Sequence, residues 1–97
     1  MTAEQIERYQ SLGFKRWTKA GFDRLYVNAS QLGLECDYYN TGNIRNATFK
    51  GKSISNCEAR RMKEAKSYID IKTGKAHSDN NSLLMAIERI MEVENND

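Results

Sequence analysis

The chain has 97 residues, of which 39% are hydrophobic and 29% charged, and its formal net charge is +2 at pH 7. This composition predicts one folded domain over residues 1–97 and excludes both a disordered chain and a second hydrophobic core. Residues 83–87 form the longest uncharged apolar run, which is far shorter than the roughly 20 residues of a membrane span, and residues 1–12 lack a signal pattern. We therefore expect no membrane association and a cytoplasmic location.

The chain begins with a predicted helix over about residues 3–12. Thr2 and Gln5 match a capping box, and apolar residues follow at helical spacing until Gly13, which suits a left-handed helix stop.

A hairpin is predicted next. Residues 14–19 and 22–27 are rich in aromatic and β-branched side chains and flank a glycine-containing turn. Leu25 and Val27 should share one face of the second strand, with the intervening residues on the other face.

The centre of the chain carries weaker signals. Asn28 and Gln31 predict a short helical turn that ends at Gly33. Residues 37–46 are expected to be irregular because turn-forming side chains dominate them, and residues 47–50 predict a short strand that leads toward a second turn.

A second helix is predicted over about residues 56–66. Residues 55–58 form another capping-box pattern, and Ala59, Met62 and Ala65 recur at the spacing of a buried helix face. The small alanines imply close packing.

A second hairpin and a final helix complete the chain. Residues 68–72 alternate in polarity, and the Thr-Gly pair at 73–74 can turn them into residues 75–77. Asp79 or Asn80 can cap the last helix, which carries a continuous apolar stripe. The stripe comprises Leu83, Leu84, Ile87, Ile90 and Met91.

These elements predict an α+β fold in which two β-hairpins form a small antiparallel sheet packed against three main helices. The expected arrangement is one sheet covered by one helical layer.

Charge is distributed unevenly along the chain. Residues 45–75 hold nine basic against three acidic side chains, a net charge of +6, whereas residues 76–97 hold one basic against five acidic, a net charge of −4. Such a dipolar molecule can steer a polyanion or an acidic protein toward one side.

Candidate binding residues lie on the second predicted helix, its neighbouring turns and the preceding loop, where several phosphates could be neutralised and bases could stack. They are Lys50, Lys52, Arg60, Arg61, Lys63, Lys66, Tyr38 and Tyr39. The same basic residues also fit an ordinary solvated helix face, on which Glu58 and Glu64 pair with Arg61 or Lys63.

No stretch carries a catalytic, metal or nucleotide motif. A thiol nucleophile with a base and an orienting acid could be built only from Cys57, His77 and Asp79, whose spacing does not require them to meet. Cys36 and Cys57 match no zinc spacing and are expected to be free thiols in a reducing compartment. We therefore expect a non-enzymatic protein without a metal or another cofactor.

The C-terminal helix suggests further contacts. Glu92, Glu94 and Asp97 oppose the helix dipole, so this end is expected to fray unless a basic partner docks. Met85 flanks the apolar stripe and could extend it into a homodimer contact.

Several strings resemble small proteins carried by bacteriophages and other mobile elements. They are residues 23–28, 38–44, 54–60 and 68–75. The resemblance spans roughly residues 14–75 and implies a setting in which compact non-enzymatic proteins, anti-CRISPR inhibitors among them, occupy the surface of a host nucleic-acid machine. Because such inhibitors share no common fold, the resemblance assigns no functional residue.

Two functional hypotheses follow. The first is a small protein that binds and inhibits a host protein or nucleoprotein complex, through aromatic residues that are expected to be exposed. These are Trp17, Tyr26, Tyr38 and Tyr39. The second is a direct DNA- or RNA-binding module that uses residues 45–75.

Overall fold

A computed structural model describes residues 1–95 of the chain, with side chains through residue 93. Its elements, in order, are α1 (Ala3–Ser11), β1 (Lys15–Lys19), β2 (Phe22–Val27), a 3₁₀ turn (Ala29–Leu32), β3 (Leu34–Tyr38), β4 (Ile44–Phe49), β5 (Lys52–Ile54), α2 (Asn56–Glu64), β6 (Ser67–Asp70), β7 (Ala76–Ser78) and α3 (Asn81–Asn95). The α+β class is confirmed, but these strands form two antiparallel sheets, one of four strands and one of three.

The predicted end signals of α1 and of the 3₁₀ turn are confirmed. The Thr2 hydroxyl accepts a hydrogen bond from the Gln5 amide at 3.2 Å, and the Gln5 side chain accepts one from the Thr2 amide at 2.9 Å. Gln31 likewise accepts from the Asn28 amide at 3.0 Å, and Gly33 ends the turn at φ +117°. Each exchange satisfies main-chain donors that the helical turn leaves unpaired.

The two predicted hairpins join into the four-stranded sheet, in the order β1-β2-β6-β7. Leu25 of β2 lies opposite Ile69 of β6, and both are fully buried on the inner face. α1 packs against β2, and α3 packs against β7 and the 3₁₀ turn. As predicted, Leu25 and Val27 share the buried face.

The prediction of an irregular segment over residues 37–46 is wrong at both ends, because residues 37–38 belong to β3 and residues 44–46 to β4, whereas residues 39–43 do form a turn. β3 and β4 form a hairpin there, closed by a hydrogen bond from the Tyr39 amide to the Asn43 carbonyl at 2.8 Å, with Gly42 at φ +90° in the turn. Ile44 and Ala47 are buried where β4 packs against α2. Burial beneath this helix stabilises strands whose polar composition is typical of a loop.

The starts of α2 and α3 are linked. Ser55 caps α2 by accepting from the Glu58 amide at 3.1 Å, but the Glu58 carboxylate accepts from the Asn80 side chain at 3.2 Å instead of completing the predicted capping box. Asn80, one of the two predicted caps, also accepts from the Leu83 amide at 3.2 Å and so caps α3.

The C-terminal predictions are tested only in part. Leu83 and Ile87 of the predicted stripe are buried, whereas Met85 is exposed. Glu94 and Asp97 lie outside the residues whose side chains the structure describes. Over the described range, no helix combines the length and the hydrophobicity that a bilayer crossing requires.

Candidate macromolecule-binding surfaces

The outer face of the four-stranded sheet carries aromatic and basic side chains on neighbouring strands. Side chains alternate between the two faces of a strand, and the buried Leu25 and Ile69 mark the inner face. The outer face therefore carries the side chains of the alternate residues. The strand register places Lys15, Tyr26, Tyr68 and His77 in one line across β1, β2, β6 and β7. A second line contains Trp17, Arg24 and Asp70, and a third contains Lys19 and Phe22.

Four rings on this face contact one another in sequence across the sheet. The ring centroids of Trp17 and Tyr26 are 6.4 Å apart, those of Tyr26 and Tyr68 are 5.3 Å apart, and those of Tyr68 and His77 are 5.1 Å apart. The last pair is stacked, with 26° between the ring planes. We call these residues, Trp17, Tyr26, Tyr68 and His77, the aromatic row. Each contact is a cross-strand pair that helps to hold its strands together.

Arg24 is held among these rings. Its guanidinium carbon lies 4.2 Å from the Tyr68 ring centroid and 4.4 Å from that of Phe22. One guanidinium nitrogen donates to the Tyr26 hydroxyl at 3.4 Å, and this hydrogen bond is the main reason that the pKa of Arg24 is raised. The Arg24 Nε is buried without a hydrogen-bond partner among the described residues. Stacking on two rings therefore fixes a positive charge on this face.

Parts of the face remain open to solvent. The Trp17 side chain is 58% exposed and Phe22 is 54% exposed, and Lys15 and Lys19 are exposed on the edge strand β1. Asp70 is the acidic residue among the outward-facing positions of these four strands, and its carboxylate accepts from two amides of the following turn, at 2.9 and 3.2 Å. Lys15, Lys19 and Arg24 thus lie around the rings, whereas the Asp70 carboxylate is hydrogen-bonded to the following turn.

The predicted basic residues divide between two regions. Tyr38, Arg60 and Lys63 meet at a cleft of about 360 Å³ between α2 and the β3–β4 turn. The Lys63 ammonium donates to the Tyr38 hydroxyl, which raises the pKa of Lys63, and lies 4.6 Å from the Tyr38 ring centroid. Lys50 instead lies beside α3, in a groove with Met85 and other α3 residues.

The remaining predicted residues do not join this cleft as one surface. Lys52 follows the β4–β5 turn, about 17 Å along β4 from its first residue, at a strand rise of about 3.3 Å per residue. Arg61 lies 3.9 Å from the Glu58 carboxylate, as the solvated-face alternative anticipated. The Lys66 amide donates to Asp79 at 3.4 Å, and Tyr39 is exposed in the β3–β4 turn.

The three residues considered for thiol catalysis are engaged separately. Cys57 is exposed, His77 stacks on Tyr68, and the Asp79 carboxylate accepts from a main-chain amide. Across residues whose side chains are described, no hydrogen bond joins any two of them, and no group of three or more histidine, cysteine or acidic residues could hold a metal ion.

Trp17 is exposed as expected, whereas Tyr26 is half-buried, and the grouping of both with Tyr68 and His77 was not predicted although part of its signal was visible. Lys15, Trp17 and Lys19 alternate along one strand, and Phe22 and Tyr26 recur at even spacing on the next. The pairing of β2 with β6, about 40 residues later in the chain, has no counterpart in local sequence, yet it brings Tyr68 and His77 beside Tyr26. No family model, curated protein or solved structure matches the chain.

Proposed function

We propose that this chain is a small non-enzymatic protein that binds single-stranded nucleic acid on the outer face of its four-stranded sheet. The aromatic row supports the proposal, because it places rings of four adjacent strands in contact and leaves Trp17 largely exposed. Base stacking on aromatic side chains contributes about 1–3 kcal/mol per base and tolerates any sequence, since every base has a π face.

The dimensions of the face suit a short single strand. Four strands spaced about 4.8 Å apart give a row roughly 14 Å wide, enough for two or three unstacked bases. Lys15 and Lys19 lie on the edge strand beside Trp17, where they can contact the phosphates of a strand whose bases stack on the rings. A duplex offers only its end base pair for stacking, so the face favours single strands.

Aromatic and arginine side chains also anchor protein interfaces, so the same face suits a protein partner as well. Four expectations therefore stay predictions: the host protein or nucleoprotein partner, the inhibitory role, the mobile-element setting and the cytoplasmic location. The cleft that Tyr38 shares with Arg60 and Lys63 supports the expected basic site within residues 45–75 as a second candidate for nucleic-acid binding.

A direct test is titration of the protein with a fluorescein-labelled single-stranded oligonucleotide and with its duplex at several salt concentrations. Trp17 is the only tryptophan in the chain, so base stacking on it should quench the intrinsic fluorescence. Neutralisation of phosphates by three cations predicts a slope of about −2 for log affinity against log salt on a single strand. Absence of both quenching and salt-dependent binding would contradict the proposal.

Paired charge reversals distinguish the two candidate surfaces. Lys15→Glu with Lys19→Glu should abolish most of the affinity, because it reverses the charge beside the exposed rings. Arg60→Glu with Lys63→Glu changes the net charge equally at the cleft of the second candidate site and serves as the matched control. Loss of binding in the second variant, and not in the first, would assign nucleic-acid binding to the basic segment instead.

A further inference from the structure

β3 is an edge strand of the three-stranded sheet, and no strand among residues 1–95 pairs with its outer side; Leu34 on this edge is buried and Cys36 is half-buried, so a ligand reaches their main chain only from within the adjoining groove. The sheet order is β3-β4-β5, and the Gly33 carbonyl accepts from the Lys50 amide at 3.0 Å at the start of the β3–β4 ladder. In an antiparallel pair, the main-chain N–H and C=O groups of alternate residues point toward the neighbouring strand. The main-chain groups of Glu35 therefore point toward β4, whereas those of Leu34 and Cys36 point away from it. Within residues 1–95, these outward groups have no main-chain partner.

A groove runs beside this edge. It has a volume of about 420 Å³, and the side chains of Leu34, Cys36 and Tyr38 line it at the two-residue period of a strand. Residues 28–30, at the beginning of the 3₁₀ turn, form another part of its wall, together with Lys63 of α2. The groove thus lies along the free main chain of β3.

The edge has opposite charge on its two faces. On the groove side, Lys63 donates to the Tyr38 hydroxyl and forms no ion pair with any described acidic residue. On the other face, Glu35 and Asp37 are exposed and likewise form no ion pair within the described part of the chain. A ligand that pairs with this edge therefore meets a cation on one side and two carboxylates on the other.

These charges disfavour a second copy of the chain at this edge. Antiparallel pairing of two β3 strands about Cys36 would place Glu35 of one copy opposite Asp37 of the other, and like charges directly opposite each other destabilise a strand pair. Acidic side chains on an edge strand limit self-association in this way. The occupant that fits carries basic side chains on that face.

We infer that an extended peptide pairs with β3 as a fourth strand of this sheet, with an acidic side chain next to Lys63 and basic side chains next to Glu35 and Asp37. Main-chain hydrogen bonds to Leu34 and Cys36 would supply affinity, and alternate side chains would supply specificity. This surface is separate from the aromatic row and does not depend on nucleic-acid binding.

The test uses a synthetic peptide, Val-Lys-Val-Lys-Asp, acetylated and amidated at its ends, added to the ¹⁵N-labelled protein and followed by NMR. Binding should shift the amide signals of Leu34 and Cys36 and slow their hydrogen exchange. N-methylation of the peptide amides that face β3 should weaken binding at least fivefold, because it removes main-chain donors while keeping the side chains.

Charge exchange tests the orientation of the peptide. Lys63→Glu should weaken binding about two- to fivefold, and a peptide ending in lysine instead of aspartate should recover that loss. Lys52→Glu, a charge reversal on β5 of the same sheet, should change nothing. The inference is overturned if the Leu34 and Cys36 amides stay unperturbed at millimolar peptide, or if the N-methylated peptide binds equally well.

Discussion

Replacement of Trp17 by alanine removes an exposed ring of the aromatic row and should weaken binding of a single-stranded oligonucleotide. The loss of one stacked base costs about 1–3 kcal/mol. Because 1.4 kcal/mol corresponds to a factor of ten in Kd, affinity should fall about 5- to 150-fold. Trp17 is 58% exposed and contacts Tyr26 through a single edge-on pair, so the fold should lose no more than about 1 kcal/mol.

Fluorescence anisotropy of the labelled oligonucleotide measures the effect, since this variant lacks the intrinsic tryptophan signal. Trp17→Phe keeps an aromatic ring and should retain most of the affinity. Tyr39→Ala is the matched control, because Tyr39 is 56% exposed in the β3–β4 turn, outside the aromatic row. Wild-type affinity in a folded Trp17→Ala protein, or an equal loss in Tyr39→Ala, would refute the stacking mechanism.

Three further predictions concern the fold. Leu25→Ala should lower the free energy of unfolding by about 2–5 kcal/mol in urea denaturation, because Leu25 is fully buried; an unchanged midpoint would contradict its place in the core. Gly33→Ala should lower the melting temperature more than Gly42→Ala, since both have positive φ but only at Gly33 would a Cβ approach another side chain, at 2.9 Å; equal effects would rule out the crowding. The Arg16 hydrogen bond lowers the pKa of Asp23 below its ordinary value of about 3.9, so its stabilising contribution is complete above that value and is lost as the pH falls through the lower, folded-state pKa. Acid titration of the melting temperature should therefore be flatter in Asp23→Asn, and identical profiles would contradict this.

The sequence predicted those elements whose terminal main-chain groups form hydrogen bonds with side chains a few residues away. The Thr2–Gln5 and Asn28–Gln31 exchanges connect residues three apart, so the residue types are sufficient to indicate them. The β6–β7 turn is equally local, because the Asp70 carboxylate accepts from the amides of the next few residues. The second capping box failed where a distant partner, Asn80, competed for Glu58.

The candidate site depended more strongly on long-range pairing. The sequence concentrates positive charge in residues 45–75. In the structure, the extended strand β4 places Lys52 at one end and the cleft that contains Arg60 at the other. Only Tyr38, Arg60 and Lys63 of the predicted binding residues meet at that cleft.

The amino-acid sequence by itself determined the α+β class, the two hairpins of the larger sheet and the caps, because hydrophobic period, turn residues and capping pairs act over a few positions. Tertiary structure decided that β2 pairs with β6, that residues 37–46 become a hairpin beneath α2, and that Trp17, Tyr26, Tyr68 and His77 form one row. These outcomes depend on burial shared between segments far apart in the chain, and neither segment carries that information alone.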